Sequence, residues 1–124
     1  MKKLILSLLV IALVLGACPV FAHGEAVAQH GGILQVVDDL SFELVQTENR
    51  FELYIEDHAE PVAADGITGT MTILQGSDKQ KVALSFAADN RLQTDVVNAA
   101  SGAKVVAIVK FPDSHSVAVR FTLP

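Results

Sequence analysis

The sequence predicts an all-β protein, a single antiparallel β-sandwich placed after a cleavable export signal. Three observations predict it. Apolar and polar residues alternate with a period of two in a series of short runs. Turn-forming residues separate the runs at roughly ten-residue spacing. No stretch carries a sustained helical stripe.

The elements follow in order. Met1-Lys2-Lys3 is a short basic lead, and residues 4–15, "LILSLLVIALVL", are an uninterrupted apolar run. A bilayer span takes about 20 apolar residues, so this run fits the core of a secretory signal and not a membrane anchor. "VFA" ends at Ala22 with small or aliphatic residues where a signal peptidase needs them, and Pro19 breaks the helix just before. Cleavage is expected between Ala22 and His23. A second processing route is open: "LGAC" (15–18) resembles the lipobox of bacterial lipoproteins, with Cys18 as the lipidated residue. Both routes carry the chain out of the cytoplasm, and the expected location is the periplasm. No transmembrane segment is expected in the mature chain.

Residues 23–32, "HGEAVAQHGG", read as a flexible leader. The domain proper is expected over 33–124. From Ile33 the chain turns to short alternating runs. "LSFELVQT" sets Leu40, Phe42 and Leu44 against Ser41, Glu43 and Val45, and "NRFELYIED" sets Phe51, Leu53 and Ile55 against Glu52, Tyr54 and Glu56. "ITGTMTIL", "KVALSFAA", "RLQTDVV" and "SVAVRFTL" repeat the pattern. "KVVAIVKF" is apolar on both faces, as in a central strand. Residues 58–66, "HAEPVAADG", hold Pro61 and Gly66 and read as a loop. Seven to eight such strands in a chain of this length predict an immunoglobulin-like sandwich with one core.

Composition narrows the function. Removing Lys2 and Lys3 from nine basic residues leaves seven against fourteen acidic ones, a net charge of −7. Nucleic acid needs clustered Lys and Arg, so it is not an expected partner. Cleavage before His23 discards the single cysteine, which leaves no disulfide and no thiolate ligand. The sequence has no nucleophile elbow, no H-E-x-x-H and no glycine-rich phosphate loop, so an enzyme is not expected.

The histidines carry the chemistry. His23 and His30 lie in the leader, and cleavage before His23 would pair its free amine with its ring for Cu(II). Gly31 and Gly32 beside His30 permit close approach. "EDHAEP" places Asp57 and His58 where a strand runs out, with Asp57 able to ligate or to orient the imidazole. "FPDSHS" spaces Asp113 and His115 so that both face one side, though a hairpin turn explains the aspartate without an ion. Glu43 is the lone acid on its strand face, directed either to solvent or toward His30. Met71 alternates with Ile67 and Ile73 as a core residue would. Together His30, His58, Asp57, Glu43, His23, His115 and Asp113 are the candidate ligands for a metal ion, copper or zinc.

"HGG" (30–32), "DLSFELV" (39–45) and "LYIEDHAEPV" (53–62) resemble small exported bacterial proteins and the N-terminal-side domain of periplasmic adaptor subunits of heavy-metal efflux pumps. The resemblance matches His30, Gly31, Gly32, Glu43, Asp57 and His58. It implies metal buffering, delivery or efflux, with an efflux component as partner. His23 and the D-x-H at Asp113–His115 more weakly resemble periplasmic copper-resistance proteins with an immunoglobulin-like sandwich, though the following spacing is shorter here and an expected glycine is absent. The competing expectation is a non-metal envelope interaction module, in which "HGG" and "DH" form a structural clasp.

Overall fold

Alternation along the chain becomes pleat in the structure, a computed structural model that describes residues 26–124. The expected signal peptide, Cys18 and His23 lie outside the described residues. Nine strands follow in order: β1 Ile33–Val37, β2 Leu40–Gln46, β3 Phe51–Asp57, β4 Glu60–Pro61, β5 Thr68–Gln75, β6 Asp78–Ala88, β7 Arg91–Thr94, β8 Lys104–Lys110 and β9 Ser116–Thr122. Every pairing is antiparallel. Among the described residues no helix is long and apolar enough to cross a membrane.

The strands form one hydrogen-bonded path, β1-β2-β3-β7-β6-β5-β8-β9, with the short β4 attached to β3. The path curls until β1 comes back beside β9, giving a nearly closed barrel. The all-β antiparallel expectation holds, but two separate immunoglobulin-like sheets do not form. The reason lies in the middle of the path. Three residue pairs, Glu52↔Gln93, Leu53↔Leu92 and Tyr54↔Arg91, join β3 to β7 and so join the two halves edge to edge. Side chains lengthen this short ladder. The Phe51 amide donates to Thr94 Oγ1 (3.0 Å) at one end, and Asn90 Nδ2 donates to the Ile55 carbonyl (3.0 Å) at the other. A bulge between Phe86 and Ala88 of β6 helps the sheet to curl.

Inward-facing residues fill the barrel. Phe42, Phe51, Leu53, Ile55, Met71, Leu92, Val105 and Val119 are all fully buried. Each contributes roughly 1.5–3 kcal/mol by leaving water. The apolar residues on the other face of β8 do not meet a second sheet. Val106 is half-buried and Ile108 is 40% exposed. The both-faces-apolar pattern of "KVVAIVKF" therefore marks an aliphatic outer surface and not a central layer.

Two turns are tight. Asp38 and Asp39 (φ 51° and 65°) join β1 to β2, and His58 and Ala59 (φ 48° and 67°) join β3 to β4. Two consecutive left-handed residues make the type I′ geometry that matches strand twist. The turns after β1, β3, β6 and β8 share one end of the barrel, which carries Asp38, Asp39, Asp57, Glu60, Asp65, Asp89 and Asp113.

The Thr94 hydroxyl tests the junction. Thr94 is 1% exposed and is the partner of the Phe51 amide. Thr94→Val keeps the volume and strands a buried donor, so it is expected to cost about 1–3 kcal/mol in chemical denaturation. Thr94→Ser is expected to recover most of the loss; equal stability of the Val and Ser variants would show that the bond is dispensable.

Candidate functional site

Glu43 is the centre of the site. On β2, Phe42 and Leu44 point into the barrel, so Ser41 and Glu43 point outward. Glu43 is nevertheless 3% exposed, because the segment before β1 folds back over it. Its Oε1 accepts the Gln29 amide (2.8 Å) and Nδ1–H of His30 (3.0 Å). Its Oε2 accepts the amides of His30 (2.8 Å) and Gly32 (2.8 Å). Residues 26–32 have no regular secondary structure, yet 29–32 are anchored by this one carboxylate.

The two glycines make the fold-back feasible. Gly31 has φ +70°, in the region that L side chains avoid. Gly32 lies against β2, where a Cβ would sit 2.3 Å from the Leu44 carbonyl oxygen and 2.9 Å from Val45 Cγ2. A side chain at Gly32 would displace the segment from Glu43, whereas one at Gly31 would meet open space and only the strain of its backbone.

His30 ties the carboxylate to β3. Tyr54 stands directly opposite Glu43 in the β2–β3 register. The His30 ring stacks on it at 3.6 Å between centroids and 9° between planes. Tyr54 in turn donates its hydroxyl to Glu52 Oε2 (3.1 Å), which lies 3.9 Å from Arg91 Nη1 on β7. A polar chain therefore runs Glu43–His30–Tyr54–Glu52–Arg91 across the outside of three strands.

Burial pushes the Glu43 carboxyl up. Hydrogen bonds from the Gly32 and Gln29 amides and from the His30 ring and amide outweigh it, and hold the group below the ordinary glutamate value. The ionised form is thus the one that the fold stabilises.

The other candidate ligands stand apart. Tyr54 and Asp57 are three residues apart on β3, about 10 Å along a strand, so His58 does not reach His30's position. Asp57 and His58 form their own exposed pair, with Oδ1 to Nδ1 at 2.5 Å, in the β3–β4 turn. His58 there occupies a left-handed turn position, which histidine tolerates better than most residues. Asp113 and His115 lie in the β8–β9 turn. Asp113 Oδ1 accepts the His115 amide (3.0 Å), and the His115 ring stacks on Phe111 at 4.9 Å. Among the described residues no three His, Cys, Asp or Glu side chains gather as a metal would need.

Tyr54 is the residue that sequence reasoning missed. The alternation places it on the outer face with Glu52 and Glu56, and pairing β2 with β3 across the 47–50 turn would have set it beside Glu43. Fold and site together define a small antiparallel β-barrel with an anchored N-terminal strap. No family model matches the chain, and comparison with curated proteins and with solved structures found no match.

Glu43→Gln keeps the size but turns one acceptor oxygen into a donor facing amides. It is expected to cost about 2–3 kcal/mol and to release amide protection at residues 29–32 in hydrogen exchange. Because the folded-state pKa is depressed, Glu43 contributes its full stabilisation above the ordinary glutamate value. The contribution is lost as pH falls through the depressed pKa. The stability gap between wild type and Glu43→Gln is expected to narrow over that acid range; a gap independent of pH would show that the charge plays no part.

Proposed function

We infer that this chain is an exported, non-catalytic binding module of the bacterial envelope, with His30-Gly31-Gly32 serving as a structural clasp. One observation carries the reading: both oxygens of Glu43 are used by the 29–32 segment, which leaves the carboxylate no free position for an ion. The basic lead, apolar run and "VFA" of the first 22 residues support export. The likeness of "HGG", "FELV" and "DH" to efflux-adaptor domains supports a place in the envelope. The clasp here closes on Glu43 and Tyr54, and Asp57–His58 is a separate turn pair.

A second reading, metal binding, is favoured by one repeated feature. Nδ1 of His30, His58 and His115 faces a carboxylate at 3.0, 2.5 and 3.5 Å, so Nε2 is the ring nitrogen left for an ion. Metal-ligating imidazoles are commonly oriented this way. The described donors do not converge. An ion on His30 would therefore need further ligands from outside the described residues, where His23 lies, or from another molecule.

Thermal unfolding of the processed chain distinguishes the readings. With a structural clasp, a chelator and added Cu(II) or Zn(II) leave the midpoint unchanged, while His30→Ala lowers it by several degrees, as expected for the loss of about 1–2 kcal/mol of stacking and hydrogen bonding. A midpoint that rises with metal concentration, and stops rising in the His30→Ala/His58→Ala variant, would replace the clasp by a metal site.

A further inference from the structure

The β6-β5-β8-β9 half of the barrel carries a different pattern. Outward-facing positions align in rows across β6, β5, β8 and β9. One row is Lys81–Thr72–Val106–Arg120, and the next is Lys79–Leu74–Lys104–Thr122. Lys110 extends the same face on β8. Nine residues of the chain are basic, and Lys2 and Lys3 lie outside the described residues; five of the remaining seven sit on this face. Among the described residues none of the five forms an ion pair. A chain with more acids than bases has thus gathered its cations on one surface, without acids to neutralise them.

The surface is also concave and partly aliphatic. A cleft of about 450 Å³ opens where β1 flanks β8 and β9, and it is lined by Ile33, Gln35, Leu74, Lys104, Val106 and Arg120, among others. This volume lies within the range of small-molecule sites, roughly 300–1,000 Å³. No acidic residue lines it. Leu74 is 38% exposed in its wall, which an apolar side chain tolerates but does not favour. Lys104 pairs with Thr122, and its Nζ donates to Thr122 Oγ1 (3.0 Å), which turns the ammonium toward β9. Arg120 is two residues back on that strand, a diagonal neighbour at about 7–8 Å between backbones, close enough for both cations to reach one anionic head.

We propose that this cleft binds a single anionic amphiphile, with a carboxylate or phosphate head between Lys104 and Arg120 and an aliphatic chain along Leu74, Val106 and Ile33. Neither half of the lining explains itself alone. A plain anion has no use for the aliphatic wall, and a neutral apolar ligand has no use for two unpaired cations. Lys81 in the Arg120 row and Lys79 in the Lys104 row add a field that draws anions to the cleft, while Lys110 at the far end of β8 lies beyond screening distance. The β1 wall of the cleft begins at Ile33, the residue after the clasp's Gly32, so the site borders the clasp at the β1–β9 seam and draws its cations from β8 and β9.

The test is an NMR titration of the ¹⁵N-labelled processed chain with dodecanoate and dodecyl phosphate, both kept below micelle formation. Dodecanol and inorganic phosphate are the half-ligand controls. Saturable shifts are expected at Leu74, 104–106 and 120–122, with each control at least about tenfold weaker. Lys104→Glu/Arg120→Glu is expected to weaken binding by about tenfold or more, while Lys110→Glu, on the same face but outside the cleft, changes it little. Phosphate binding as tightly as dodecyl phosphate would reduce the site to an anion patch. Dodecanol binding as tightly as dodecanoate would reduce it to apolar adsorption. Response only to phosphatidylglycerol vesicles, or only to an acidic polypeptide, would make the face a docking surface and overturn the cleft.

Discussion

The short ladder between β3 and β7 is the joint on which the architecture depends. Three residue pairs connect a β1-β2-β3 half to a β6-β5-β8-β9 half. Without it, the two halves would each present an open edge, and open edges invite pairing with other chains. The ladder is short, and side-chain hydrogen bonds extend it at both ends. Thr94 satisfies the Phe51 amide, and Asn90 bridges to Ile55. Thr94 ends β7 and Asn90 immediately precedes it, so one four-residue strand carries the continuity of the whole sheet.

The same joint positions the clasp. Tyr54 faces Glu43 on one side and Arg91 on the other, so the polar chain crosses the junction on the outside while Leu53 and Leu92 cross it on the inside. A carboxylate that is 3% exposed is costly to bury unless every oxygen is used. Here four donors converge on it from a stretch of four residues. The clasp thereby converts the start of the domain from loose chain into part of the barrel wall, and it does so next to the seam where β1 meets β9.

Much of this was legible in the sequence, and the rest was hidden for identifiable reasons. An apolar run locates β8, and period-two alternation locates β2, β3, β5 and β9, because inward and outward residues differ in kind. It did not reveal that β3 pairs with β7 and β5 with β8, since those partners are far apart in sequence and the pattern of one strand says nothing of its neighbour. Val106 and Ile108 have the pattern of a buried layer but face outward, so the sequence favours a sandwich where the chain forms a nearly closed barrel. At the site, the sequence leaves Glu43 directed either to solvent or toward His30, and the structure sets it against residues 29–32, with Asp57 and His58 apart. That contact was not visible, because three of the four donors to Glu43 are backbone amides, which every residue carries. Asp57–His58 and Asp113–His115 drew notice by residue type, and local turn geometry accounts for both.

The distribution of charge has one more consequence. One end of the barrel is ringed by aspartates in its turns, while the flank formed by β6, β5, β8 and β9 holds most of the cations. Charge is therefore distributed unevenly around the barrel. A formal net charge of −5 predicts retention on an anion exchanger and exclusion from a cation exchanger. With its cations gathered on one flank, the protein is expected to be held by a cation exchanger more strongly than its net charge implies, through that patch and not the sum of its charges.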